Sequence, residues 1–215
     1  MKLDSVPGTR QPASMGKRAE EKEATRQQIV TEASKLIRQN GIAGLKVADV
    51  MAEAGLTHGA FYAHFADKNE LIEAAFHEAF DHRENWIGSA QKRPTEDRLP
   101  HLLNTYLTPK HRDTPEQGCA FAALAREFAQ AGGNFPKTFE EELGISIQRL
   151  IELLSKEDSD DARATAMGVL SLCVGGMVLS RAVENPKLSN ELLKAAAAFG
   201  GSASRQTKST RKRKT

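Results

Sequence analysis

The chain predicts an all-α fold of about nine helices, and three observations carry that prediction. Apolar residues recur at i, i+4 and i+7 along most of its 215 residues, the period of a helix with one buried face. No stretch of useful length alternates apolar and polar residues as a half-buried strand does, and no internal repeat is present. Glycine and proline fall between the periodic stretches, where helices stop and start.

The elements follow in order. Ile29, Ala33, Leu36 and Ile37 line one face of a first helix, and Gly41 after Asn40 supplies its stop. A short second helix covers Val47–Ala54 and ends at Gly55, with Thr57 as candidate N-cap of a third. Asp67 with Glu70 has capping-box spacing and opens a long fourth helix through Leu71, Ile72, Ala75, Phe76, Ala79 and Phe80. A fifth helix starts near Thr95, where Pro100 implies a kink or a late start. Thr108–Gly118 is an expected loop, and "CAFAALAREFAQA" makes a sixth helix stopped by Gly132-Gly133. Three more run from about Phe135 to Leu154, Asp160 to Glu184 and Ser189 to Phe199. The organisation expected is a disordered arm over 1–19, a front unit of three helices over 20–70, a helical body over 71–200 and a disordered basic tail over 201–215.

Composition narrows the class. Apolar residues at 40% and charged residues at 27% are those of a soluble globular protein large enough for a sizeable core. The polar start has no apolar signal stretch, and the longest nearly apolar run, Val169–Ser180, is short for a bilayer span. Two cysteines without a secretory signal argue against a disulfide framework, so the expected location is the cytoplasm, with no membrane partner. Net charge of +2 hides an asymmetry: residues 71–204 carry fourteen basic and nineteen acidic groups, whereas 205–215 carry six basic groups and no acidic one. That tail either attracts phosphates without sequence preference or simply aids solubility.

The stretch "LTHGAFYAHFADKNEL", Leu56–Leu71, crowds two Phe, a Tyr and two His into eight residues. Treated as the second half of a helix-turn-helix, it sorts cleanly. Gly55 takes the left-handed conformation of the tight turn, while Phe61 and Phe65, four apart, face inward with Leu56. His58 and Tyr62 share the opposite face, flanked by Gly59 and Ala63, small residues that let a backbone approach a DNA groove. The Tyr62 hydroxyl, His64 and Lys68 are phosphate donors, with Lys68 at a positive helix N-terminus.

"GLTHGAFYAHFADKNEL" and the preceding "IVTEASKLIRQNGIAGLKVADVMAEAG" resemble the signature of the TetR/AcrR family of bacterial transcriptional regulators over about residues 24–71. The resemblance implies nine helices, an N-terminal DNA-binding unit and a ligand-binding, dimer-forming body. It also implies that Tyr62, His64 and Lys68 hold phosphates while Thr57, His58, Gly59 and Ala60 face base edges. Where many members open the second helix with a hydroxyl residue, this chain has Val47, so Lys46 or a backbone N–H substitutes. Gly59 and Ala60 offer no bidentate base contact, which leaves specificity to His58, methyl packing and DNA shape. The implied partners are pseudo-palindromic double-stranded operator DNA, a second copy of the chain and a small-molecule effector, reactive electrophile or oxidant.

In the body, "VLSLCVGGMVLSRAV" mixes small and apolar residues around Gly175-Gly176. The resemblance assigns this helix and the next to a four-helix dimer interface, with Cys173, Gly175, Gly176, Met177, Leu179 and Val183 in it; packing within one chain is the alternative. Trp86, Tyr106, Phe121, Phe128, Phe135, Phe139 and Met177 are expected pocket walls or plain core. Cys119 follows Gly118 at a helix start, where free N–H groups and the dipole favour a thiolate and His111 and Arg112 add positive potential. This start resembles the nem-operon-repressor-like subgroup and implies thiol sensing; a small core residue is the alternative. Cys173 is expected to be structural. The six His are scattered, with His77 and His82 five apart, so no metal site is expected. No catalytic residues and no cofactor are expected either, since acid/base pairs, glycine-rich phosphate loops and cofactor fingerprints are missing from the sequence. A helical enzyme using Cys119 as nucleophile is the rival class.

Overall fold

Burial of aromatic rings at helical spacing sets the architecture. Phe76 is fully buried, and its ring stacks on Phe128 at 3.9 Å between centroids, with Phe80 at 5.1 Å and Phe139 at 5.9 Å. The computed structural model describes residues 13–80, 83–155 and 160–212, with side chains over 16–80, 83–84, 86–155 and 160–202. Among these residues it holds ten α-helices, two 3-10 helices and no strand. The α-helices are α1 (Ala13–Gly44), α2 (Val47–Glu53), α3 (Lys68–Glu78), α4 (Arg83–Gln91), α5 (Thr95–Tyr106), α6 (Pro109–Asp113), α7 (Ala120–Ala131), α8 (Phe135–Leu154), α9 (Asp160–Ala182) and α10 (Pro186–Lys212). The 3-10 helices are His58–Ala63 and Pro115–Gln117.

The all-α prediction holds, and several boundaries move. The helix α1 begins at Ala13, inside the expected arm, because "ASMGKRAEEKEATR" is built of strong helix formers with a Lys17–Glu21 pair one turn apart. Residues 1–12 lie outside the described residues. At the other end α10 continues to Lys212 through most of the expected tail, with no proline after Pro186 to stop it. Gly200 lies inside that helix because Leu103 and Leu172 press against it: an added Cβ would sit 2.8 Å from each. The expected long fourth helix is two helices, α3 and α4, and the aromatic Phe80 between them turns inward onto Phe121 at 4.6 Å. Thr108–Gly118 is not plain loop: Thr108 caps α6 through the His111 N–H, and Pro109 occupies its first turn.

The helix α1 packs on α3 and α7, so the front unit is wedged onto the body through both. Behind it α8, α9 and α10 pack in sequence, and α5 closes against α10. As a whole, α9 is long and apolar enough to cross a bilayer by length and composition, more than the Val169–Ser180 run alone suggests; one face of it packs on α8 and α10.

Replacing Phe76 by Ala removes the ring on which α3, α7 and α8 converge. The expected loss is about 3–5 kcal/mol of unfolding free energy, read as a lower urea midpoint; a midpoint unchanged from the parent would show that the cluster is not the centre of the core.

Candidate nucleic-acid interface and enclosed cavity

The turn after α2 is a Schellman cap. The Leu56 N–H donates to the Met51 carbonyl at 2.8 Å and the Gly55 N–H to the Ala52 carbonyl at 3.0 Å. Gly55 has φ +69, the left-handed conformation the cap requires. Beyond it, the segment His58–Ala63 winds as a 3-10 helix, tighter than the α-helix the periodicity suggests. Thr57 occupies its N-cap position, but its side chain makes no capping hydrogen bond. Phe61 and Phe65 are buried and stacked at 5.6 Å, and the Arg26 guanidinium covers the Phe65 ring at 4.7 Å. Thr57, His58, Gly59 and Tyr62 stay exposed, Tyr62 at 71%, while Ala60 is half-buried. The His58 and Tyr62 rings meet edge-on at 6.4 Å, so one small face carries both.

The cations around this face differ in freedom. Lys46 is exposed just before α2. Lys68 opens α3, where Asp67 caps the helix as the spacing predicts by accepting from the Glu70 N–H at 2.9 Å, while Glu70 reaches back to the Ala66 N–H at 2.7 Å, one residue before the N-cap. The Lys68 ammonium is half-buried and reaches back to the Ile42 carbonyl at 3.3 Å. His64 is half-buried, with Nδ1 enclosed and unpaired.

Ile42 belongs to a joint that the sequence does not reveal. Gly41 breaks α1 with φ +73, and any Cβ there would run into the Glu127 carboxylate of α7. That carboxylate accepts the Ile42 N–H at 2.6 Å while Lys68 holds the Ile42 carbonyl, so one residue bonds both to the body and to the start of α3. One turn earlier Arg38, 5% exposed, donates to the Ser34 carbonyl at 2.9 Å and to the Gly118 carbonyl at 3.0 Å. Burial lowers the Arg38 pKa, opposed by the nearby Cys119, Glu116 and Glu78.

The Gly118 carbonyl leads to a half-open cavity of about 70 Å³. Trp86, Tyr106 and Phe121 line it, together with Arg83, Cys119 and Cys173. Phe128, Phe135, Phe139 and Met177 do not: the three rings are spent on the core around Phe76, and Met177 is fully buried within α9 packing. Cys119 is the N-cap residue of α7 and 8% exposed. Its N–H donates to His111 Nε2 at 2.9 Å, while His111 Nδ1 lies 2.8 Å from the Tyr106 carbonyl. Those two bonds set the neutral tautomer, with Nδ1 as donor and Nε2 as acceptor. Burial first, then Arg181, depresses the His111 pKa to about 4 against the pull of the Tyr106 bond. His111 therefore adds no positive potential at neutral pH, contrary to the expectation, and both its nitrogens are occupied. Arg112 turns away to Asp113, Ser189 and Asn190. Cys119 is close enough to Arg38 and Arg181 to raise the pKa of each against the lowering by burial. Burial, then Cys119, pushes the Cys173 thiol up to about 12.

The residues expected at a dimer face divide. Cys173, Gly176 and Met177 are buried within the chain, and a Cβ at Gly176 would meet Ala196 at 3.0 Å and Leu107 at 3.1 Å, so this glycine serves the approach of α9 to α10. Leu179 at 55% exposure remains outward, with Gly175 and Val183 half-buried. Met167, Val178, Leu188 and Phe199 are further exposed apolar side chains on α9 and α10. Among the described residues no three His, Cys, Asp or Glu are grouped as metal ligands; His82 lies outside them.

A buried-scaffold turn presenting an exposed His–Tyr face beside a helix N-terminus is a helix-turn-helix unit. Residues 29–75 match the model of the bacterial regulatory proteins of the tetR family, so this unit is similar to that family's. It is 41% identical over 86 residues to "Probable HTH-type transcriptional regulator ArpR" of Pseudomonas putida, 39% of this chain and 38% of that one. The chain thus spans well under half the length of this curated relative. A TetR-family transcriptional regulator from Cytophaga hutchinsonii has the same fold, with a TM-score of 0.71 at 19% identity over 85% of this chain and 96% of that one. Reduced NemR of E. coli superposes with a TM-score of 0.69 at 18% identity over 82% and 95%.

His111 makes stability depend on pH. An unfolded histidine takes its proton near 6.5, whereas folded His111 resists until about 4. Its contribution is therefore fully present above pH 6.5 and is lost as pH falls from 6.5 to 4, by about 3 kcal/mol in all. Urea midpoints at pH 7 and pH 5 should fall further for the parent than for His111→Asn. Equal falls would mean that His111 is not held neutral.

Proposed function

We propose that this protein is a homodimeric, cytoplasmic transcriptional repressor that binds pseudo-palindromic operator DNA and is released by an effector in the cavity or by modification of Cys119. The observation that carries the reading is the exposed His58–Tyr62 face, held rigid from behind by Phe61 and Phe65. Segment 58–63 enters the major groove, with Thr57, His58, Gly59 and Ala60 toward base edges. Tyr62, Lys46 and Lys68 hold phosphates; an ammonium has three donors, so Lys68 keeps the Ile42 carbonyl and still reaches DNA. For His64 the enclosed Nδ1 leaves Nε2 as the phosphate donor.

Exposed apolar side chains on α9 and α10, Leu179 and Phe199 among them, support a second copy packing there. Two-fold symmetry then spaces two reading heads along one operator. Occupancy of the cavity, or bulk added to Cys119, acts on the heads through the Arg38 and Glu127 contacts to α1. The effector shifts the balance only by its differential affinity for the released state, typically about 1–3 kcal/mol.

Selection from random duplexes by the full chain should enrich one inverted repeat. On that repeat Lys46→Ala should weaken binding to all variants alike and lower the salt slope by about one, whereas His58→Ala should change the order of preference among variants. Retention of no duplex above background would overturn the reading, and an unchanged slope for Lys46→Ala would remove that residue from the phosphate contacts.

A further inference from the structure

The cavity beside Trp86 is unevenly furnished. Its walls include Phe80, Trp86, Ile87, Leu102 and Leu150, and its volume of about 70 Å³ matches about five water molecules, the liquid volume of a single-ring compound. Each trapped water would need two to four polar partners, more than such walls supply. Two polar groups on the wall are left unmet. The Tyr106 hydroxyl is enclosed, in a residue 5% exposed, and has no hydrogen-bond partner. The Cys119 thiol neighbours it, only a weak acceptor for a hydroxyl. The Arg83 Nε is likewise enclosed and unpaired.

Charge restricts what these groups take. The Arg83 Nη1 already donates to the Glu142 carboxylate at 3.0 Å and to Ser146 Oγ at 2.8 Å, so its charge is balanced from behind. His77 adds a second partner to Glu142 at 2.6 Å. An anionic ligand would bring a charge against apolar walls whose one cation is already balanced, and a cationic one would find no free carboxylate on those walls. Arg83 Nε only donates, and Tyr106, kept neutral by burial, has an O–H to give. Both unmet needs are for an acceptor.

We propose that the cavity binds an uncharged, single-ring carbonyl compound whose oxygen accepts the Tyr106 hydroxyl. The ring lies against Trp86 and Phe80, with the carbonyl directed at Tyr106 and the neighbouring Cys119. The inference names the ligand class for the regulatory reading above and rests on that reading only for its consequence on DNA.

Isothermal titration calorimetry on the full chain tests it with acetophenone, oxygen-free ethylbenzene and anionic benzoate. Acetophenone should bind one per chain, about tenfold tighter than ethylbenzene, and benzoate should give no saturable heat. In Tyr106→Phe the two neutral probes should bind within twofold of each other, and retained ethylbenzene binding shows that the cavity is intact. Equal affinities in the parent, a ketone preference that survives Tyr106→Phe, tighter benzoate, or no saturable binding of any probe would each overturn the proposal. The binding is read without DNA. Saturable ketone binding that leaves operator affinity unchanged would refute the regulatory consequence while the cavity assignment stands.

Discussion

A buried guanidinium joins the two parts of this molecule. Arg38 carries its charge into the interior of the interface between α1 and the start of α7, where the Ser34 and Gly118 carbonyls receive its donors. Leaving such a guanidinium without its acceptors is costly, because the buried charge keeps its desolvation penalty. The Glu127 carboxylate does the complementary work one turn on, accepting the Ile42 N–H that the break at Gly41 frees from the helix. Together they fix where α1 ends, and so where α2 and the His58–Tyr62 face begin.

The cavity follows from how aromatic rings are shared. Phe76, Phe128 and Phe139 pack on one another and leave no room between them. Trp86, Tyr106 and His111 form a second group, with centroids 4.5 to 4.9 Å apart, and pack edge-on or tilted. That second group borders open volume, and it contains the same His111 that accepts the Cys119 N–H. The wall of the cavity and the joint to the front unit are therefore adjacent along the chain, through Gly118.

Local signals were legible in the sequence wherever one residue's chemistry decided the outcome. Gly55 at the turn, the Asp67–Glu70 cap and the inward pair Phe61 and Phe65 all depend on near neighbours, and their spacing announces them. Partners distant in sequence were not legible. Nothing at Glu127 signals Ile42, 85 residues away, and nothing at Arg38 signals Gly118, 80 away. The same distance explains why the sequence left the rings as either pocket wall or core: Phe128 and Phe121 sit on one helix with similar surroundings, and the position of Phe76 separates them. His111 shows the limit for charge, since an imidazole beside Arg112 looks cationic until burial and two hydrogen bonds make it neutral.

If cavity and front unit are coupled through α7, a change at Cys119 must reach Ile42. Amide hydrogen exchange on the full chain, carrying Cys173→Ser and alkylated at Cys119, measures this directly. Protection should fall at Ala123, whose N–H donates to the Cys119 carbonyl, and by about tenfold or more at Ile42, whose N–H depends on Glu127. A fall at Ala123 with Ile42 unchanged would contradict the account.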